Sequence, residues 1–104
     1  MIKLIRDKIP EICKEQESAL EIAELKSDSL YNHFLREKLI EEVTEYLEAE
    51  SLEEIVDIFT VLTYILSSKG ISQEEFEKAY TEKLDQKGGF DKRLIGFFKD
   101  KPQD

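Results

Sequence analysis

From Leu35 onward, apolar residues recur at the three-to-four spacing of a helix: Leu35, Leu39, Val43 and Tyr46 or Leu47. Ser27 or Asp28 is placed to cap this helix, which the pattern carries to about Ala49. Two capping boxes follow, "SLEE" at Ser51–Glu54 and "SQEE" at Ser72–Glu75, each just ahead of another helical pattern. The first of these helices is expected to run to about Ser68 and stop at Lys69-Gly70, the second to about Gln86 and stop at "KGGF". Pro10 suits the first turn of a short helix over about Pro10–Ser18. Between these, Leu20, Ile22 and Leu25 alternate loosely with Glu21 and Glu24, so a strand competes with a helical continuation. The strand is preferred, with the tail "DKRLIGFFKD" as its partner. The expectation is a mainly α chain: an antiparallel bundle of about four helices in a single domain, 1–104, with a small two-stranded pairing of 20–25 and 93–98.

The helix beginning at Leu52 is apolar nearly all the way round, through Ile55, Val56, Ile58, Phe59, Val61, Leu62, Tyr64 and Ile65, and should be buried on most sides. Glu54 and Asp57 interrupt it on the strip that Val61 and Ile65 continue. An unpaired carboxylate there costs several kcal/mol or takes up a proton, so a cation partner is expected. The preceding helix offers a complement. Glu42 and Glu45 are three apart and share a face, and the short joint makes the two helices antiparallel neighbours. Four carboxylates, Glu42, Glu45, Glu54 and Asp57, can then converge. Hard oxygen donors with no clustered His or Cys point to Mg²⁺ or Mn²⁺. The competing account is ordinary: Glu pairs decorate solvated faces, and acids after a Ser cap belong to the capping box. Asp57, flanked by Ile, Val, Ile and Phe, has no such surface explanation. A di-iron carboxylate bundle wants Glu-x-x-His pairs, and the single His33 does not follow any Glu by three.

Composition narrows the partners. The chain has 104 residues, 38% of them charged, with a net charge of −9. Phosphate backbones are held by clustered Lys and Arg, so this balance disfavours nucleic acid as a partner. An anionic small molecule bridged by a metal ion remains compatible with it. A lone Cys13 and the charged opening "MIKLIRDKIP" lead to the expectation of a cytoplasmic protein with no signal peptide. The longest apolar stretch, Ile55–Leu66, is broken by Asp57 and falls short of the roughly 20 residues of a membrane span. It has more apolar faces than one small domain covers, which predicts a homo-oligomer, dimer or tetramer.

Phosphate needs positive charge. Lys83 and Lys87 share a helix face, Gly88-Gly89 lets backbone approach a ligand, and Arg93 follows, though Lys and Gly at a helix end also serve as dipole partner and cap. Tyr31, Phe34 and Tyr80 are candidates for stacking on a planar ligand, or else core residues. His33 and Cys13 lie in no catalytic motif.

The "EEVTE…EEIVD" core resembles the E-x-x-E plus E-x-x-D magnesium signature of the all-α nucleoside triphosphate pyrophosphohydrolase superfamily, the MazG-like and phosphoribosyl-ATP pyrophosphohydrolase group. The opening "KLIRDKIPEI", the "KLIEEVTEYLE" helix start and the late "KGGF" are similar to a house-cleaning branch of it, and together the likeness spans about Lys3 to Phe97. Many members have a small residue inside the second motif, where this chain reads Glu-Ile-Val-Asp. The resemblance implies hydrolysis between the α and β phosphates of a nucleotide, releasing pyrophosphate and a monophosphate. It implies Glu42, Glu45, Glu54 and Asp57 as Mg²⁺ ligands, Glu45 as the choice for general base, and Arg6 and Lys8 as phosphate contacts, and it adds weight to Lys83, Lys87 and Arg93 in that role. Phosphoribosyl-ATP hydrolysis is the close alternative, away from which the "RDKIP" opening leans. A non-catalytic helical interaction module is the alternative of a different class.

Overall fold

The computed structural model describes residues 1–16 and 19–99. The protein is mainly α, with four helices among the described residues: α1 (Ile9–Glu15), α2 (Asp28–Ala49), α3 (Leu52–Ser68) and α4 (Gln73–Lys87). It divides into two compact units, Met1–Ile71 and a second that begins at Ser72.

The helix ends follow the capping chemistry. Pro10 sits in the first turn of α1, where its missing N–H leaves no helical bond unmade. That helix ends at Glu15, and the expected end at Ser18 lies outside the described residues. Ser27 caps α2, its hydroxyl accepting from the Leu30 N–H at 3.3 Å. Ser72 caps α4 in the same way through the Glu75 N–H at 3.1 Å. Ser51 occupies the N-cap of α3 but turns its hydroxyl to the Glu54 carboxylate instead of a backbone N–H. At the other end of α3, Gly70 takes a φ of 71°, and the Ile71 N–H closes on the Leu66 carbonyl at 3.0 Å, a Schellman stop.

The N-terminal unit is built on the α2–α3 hairpin. Glu50 and Ser51 alone join the two helices, and Glu50 makes the reversal with a left-handed φ of 50°. So short a joint lays the helices antiparallel against each other. Leu35 on α2 and Val61 on α3 are the buried apolar residues, at 2% and 7% exposure. Leu39 and Tyr46 are half-buried on the same face of α2, whereas Val43 and Leu47 face out. The extended segment ahead of α1 is tied to α2 by Lys3, whose ammonium donates to Glu41 at 2.7 Å, and to α3 by Arg6.

Two expectations are corrected. Residues 20–25 and 93–98 form no strands, and the described residues contain no β-ladder. Ile22, Leu94 and Ile95 are all exposed. A two-residue alternation stabilises a strand only when one face is buried and a partner accepts its backbone bonds, and neither condition holds. Nor is α3 buried on most sides within the chain. Leu52, Ile55, Val56, Phe59 and Leu62 form an exposed stripe on the side opposite Val61. No single helix among the described residues is long and apolar enough to cross a membrane.

Candidate metal centre

Glu42 and Glu45 lie one helical turn apart on α2, and the hairpin brings Asp57 of α3 to them. One carboxylate oxygen from each of the three can be chosen so that all lie within 4.8 Å of one another. This is the part of the four-carboxylate pattern that the fold assembles. Glu54 lies in the first turn of α3, bonded to Ser51, and is not part of that group.

Glu42 is the most constrained of the three. It is 5% exposed, and its Oε1 lies 3.3 Å from Lys38 Nζ one turn earlier. Its Oε2 is buried and has no hydrogen-bond partner. Burial pushes its carboxyl above the ordinary Glu range; the Lys38 ammonium opposes that shift, and the neighbouring Glu45 carboxylate reinforces it. Lys38 is itself shared, with its other contact to Glu41 at 3.2 Å. For Glu41, burial would raise the carboxyl, but hydrogen bonds from Lys3 and Lys38 outweigh it and hold the group below its usual value. A buried, half-satisfied carboxylate next to two others is costly unless a cation completes it.

Asp57 does have the expected cation. Arg6 Nη2 donates to Asp57 Oδ1 at 2.7 Å. Both residues line a cleft of about 710 Å³ between residues 3–9 and the inward faces of α2 and α3. Four cationic side chains, Lys3, Arg6, Lys8 and Lys38, line the cleft against three acidic ones, Asp7, Glu42 and Asp57. Three of those cations are already paired, Lys3 with Glu41, Arg6 with Asp57 and Lys38 with Glu41 and Glu42, which leaves Lys8 as the lining cation with no ion pair among the described residues. Tyr31 and Tyr64 are part of its wall. Tyr31 therefore faces the cleft, while Phe34 packs edge-on against His33 with ring centroids 5.5 Å apart.

Lys83, Lys87 and Arg93 belong to the C-terminal unit, the two lysines exposed on α4 and Arg93 beyond it with a φ of 57°. Tyr80 lies on the same helix, its ring centroid 6.1 Å from that of Phe76. Lys3, Lys38 and Glu41 escaped the sequence reading of the site. Lys38 had a signal, since it precedes Glu41 by three and Glu42 by four and so must share their face. Lys3 had none, because its partner lies 38 positions away.

The donor set fits a hard divalent cation. All three groups offer oxygen, the buried Glu42 Oε2 lacks a partner, and Mg²⁺ with ligands at about 2.0–2.1 Å places opposite oxygens about 4.2 Å apart. No protein-family model, curated protein or solved structure matches this chain.

Proposed function

We propose that the protein is a Mg²⁺-dependent nucleotide pyrophosphohydrolase, with Mn²⁺ able to replace Mg²⁺, that cleaves a nucleoside triphosphate or related nucleotide between its α and β phosphates. The observation that carries this reading is the orphaned Oε2 of buried Glu42 beside Glu45 and Asp57, at the edge of a cleft of nucleotide size lined by Lys3, Arg6, Lys8 and Lys38. The motif resemblance supplies the reaction class.

In this reading Glu42, Glu45 and Asp57 hold the cation, and Glu54 joins them on release from Ser51. The bound ion supplies charge neutralisation at the phosphate oxygens and acidifies a water. Arg6, Lys8 and Lys3 on the N-terminal segment receive phosphate charge, and Tyr31 offers a ring to the base. Glu45 is more exposed than Glu42, which supports its role in this reading as the base that takes the proton of the attacking water. Water oxygen bonds to the α phosphorus, the bond to the bridging oxygen breaks, and pyrophosphate leaves with the electron pair.

Assembly is part of the proposal. The α3 stripe centred on Phe59 is too apolar to face water alone, and a second copy of the chain is its natural cover, giving a homodimer or a tetramer. The setting is cytoplasmic and house-cleaning, with no nucleic-acid or membrane partner.

The test is pyrophosphate release from canonical and damaged nucleoside triphosphates and phosphoribosyl-ATP, with Mg²⁺ or Mn²⁺, for the natural protein and Asp57→Ala. Metal-dependent release lost in the variant supports the reading and ranks its substrates. Silence across the panel, together with no metal binding, replaces it with a helical interaction module.

A further inference from the structure

The N-terminal segment reaches the carboxylate cluster at one atom pair. Arg6 Nη2 is 2.7 Å from Asp57 Oδ1, and Asp57 is the only one of the three clustered carboxylates contributed by α3. The guanidinium therefore lies where a cation shared by α2 and α3 would draw its α3 ligand. Glu42 Oε2, buried and without a partner, shows that the cluster is incomplete even with Arg6 in place.

Building on the proposed metal site, we propose that Arg6 is a stand-in cation: it occupies Asp57 in the metal-free protein and is displaced when a divalent ion binds. Two positive charges on one small carboxylate repel, and a carboxylate bonded to Arg6 through Oδ1 has less charge to offer a metal. Metal entry and Arg6 release are then one equilibrium. The released guanidinium remains on the cleft wall, where an anionic phosphate can take it. By linkage, any anion that draws Arg6 off Asp57 raises affinity for the metal, and the metal raises affinity for the anion to the same degree. The exchange weakens metal binding while no anion is present and relieves that penalty when one binds.

The coupling is bounded by the exposure of the pair. Arg6 is 54% and Asp57 28% exposed at the side chain, so the competition is that of a partly solvated ion pair. Arg6→Gln should bind Mn²⁺ roughly two- to fivefold more tightly than the natural protein, read by electron paramagnetic resonance of free Mn²⁺. A merely structural role predicts weaker binding or none of this gain. A second readout needs no variant: with Mg²⁺, the Arg6 Nη resonances should lose the hindered rotation of a bonded guanidinium, in a chain with only Arg36 and Arg93 besides. If the natural protein binds Mn²⁺ while Arg6→Gln binds equally or less well, and Arg6 Nη stays hindered with Mg²⁺, the exchange is wrong and the metal site stands. If neither protein binds Mn²⁺, the metal site is wrong and the exchange falls with it.

Discussion

Lys38 Nζ lies 3.3 Å from Glu42 Oε1, so one ammonium, already shared with Glu41, answers only half of a buried carboxylate. The other oxygen has no partner, and burial raises the Glu42 carboxyl above its ordinary range. Folding therefore favours the protonated form of Glu42 more than the unfolded chain does.

Glu42→Gln should accordingly be more stable than the natural protein in the presence of a chelator at neutral pH. The sign follows from linkage. A raised folded-state carboxyl keeps its proton where the unfolded chain has lost it, so its contribution is full below the unfolded value and declines as pH rises through the folded one. The advantage of the variant should grow across that window above the ordinary Glu value and then level off. Urea denaturation at several pH values measures it; an advantage that shrinks on going from acid to neutral pH would refute the assignment. Added Mg²⁺ should stabilise the natural protein and not the variant.

The Lys3–Glu41 pair ties the N-terminal segment to α2. Its hydrogen bond to Glu41 raises the Lys3 ammonium, and the same bond helps hold Glu41 low, so this is one interaction seen from two ends. It is present above the unfolded value of Glu41 and below that of Lys3, and is lost as pH falls through the folded value of the first or rises through that of the second. With Lys3 46% exposed, Lys3→Ala should cost about 0.5 kcal/mol at neutral pH. Because much of the pair is solvated, the cost should fade in 1 M salt, and thermal melts with and without salt would detect that.

Glu50 holds a left-handed conformation that side chains with a Cβ resist, and it does so at the only sharp turn in the hairpin. Glu50→Gly should stabilise the protein by up to about 1 kcal/mol, the relief of strain exceeding the added freedom of glycine in the unfolded chain. A lower urea midpoint for the variant would show that the turn does not store this strain.

Phe59 is 67% exposed at the centre of the α3 stripe. If that stripe joins two copies, Phe59→Glu places a charge in an apolar interface and should shift the protein to monomer in sedimentation velocity, with its helical circular dichroism largely retained. A natural protein that sediments as a monomer at high concentration would remove the basis for the interface.

Local chemistry written within a few residues was legible in the chain by itself. Ser27 and Ser72 as caps, Gly70 as a stop and the helical spacing from Leu35 to Tyr46 determine where α2, α3 and α4 begin and end, because capping and amphipathic periodicity act within one or two turns. The placement of Glu42 beside Glu45, and the presence of an acid at Asp57 in need of a cation, follow from spacing of the same kind. Tertiary structure decided which groups met. Glu54 shares the motif with Asp57, but Ser51 competes for its carboxylate at shorter range. Arg6 reaches Asp57 across 51 positions, a pairing that no local pattern encodes. The 20–25 and 93–98 alternations looked like strands only so long as partners were assumed, since a strand is stabilised by its neighbour rather than by its own residues. The burial of α3 was over-read for the same reason: periodicity shows which faces are apolar, and the number covered depends on how much chain, or how many chains, pack around them.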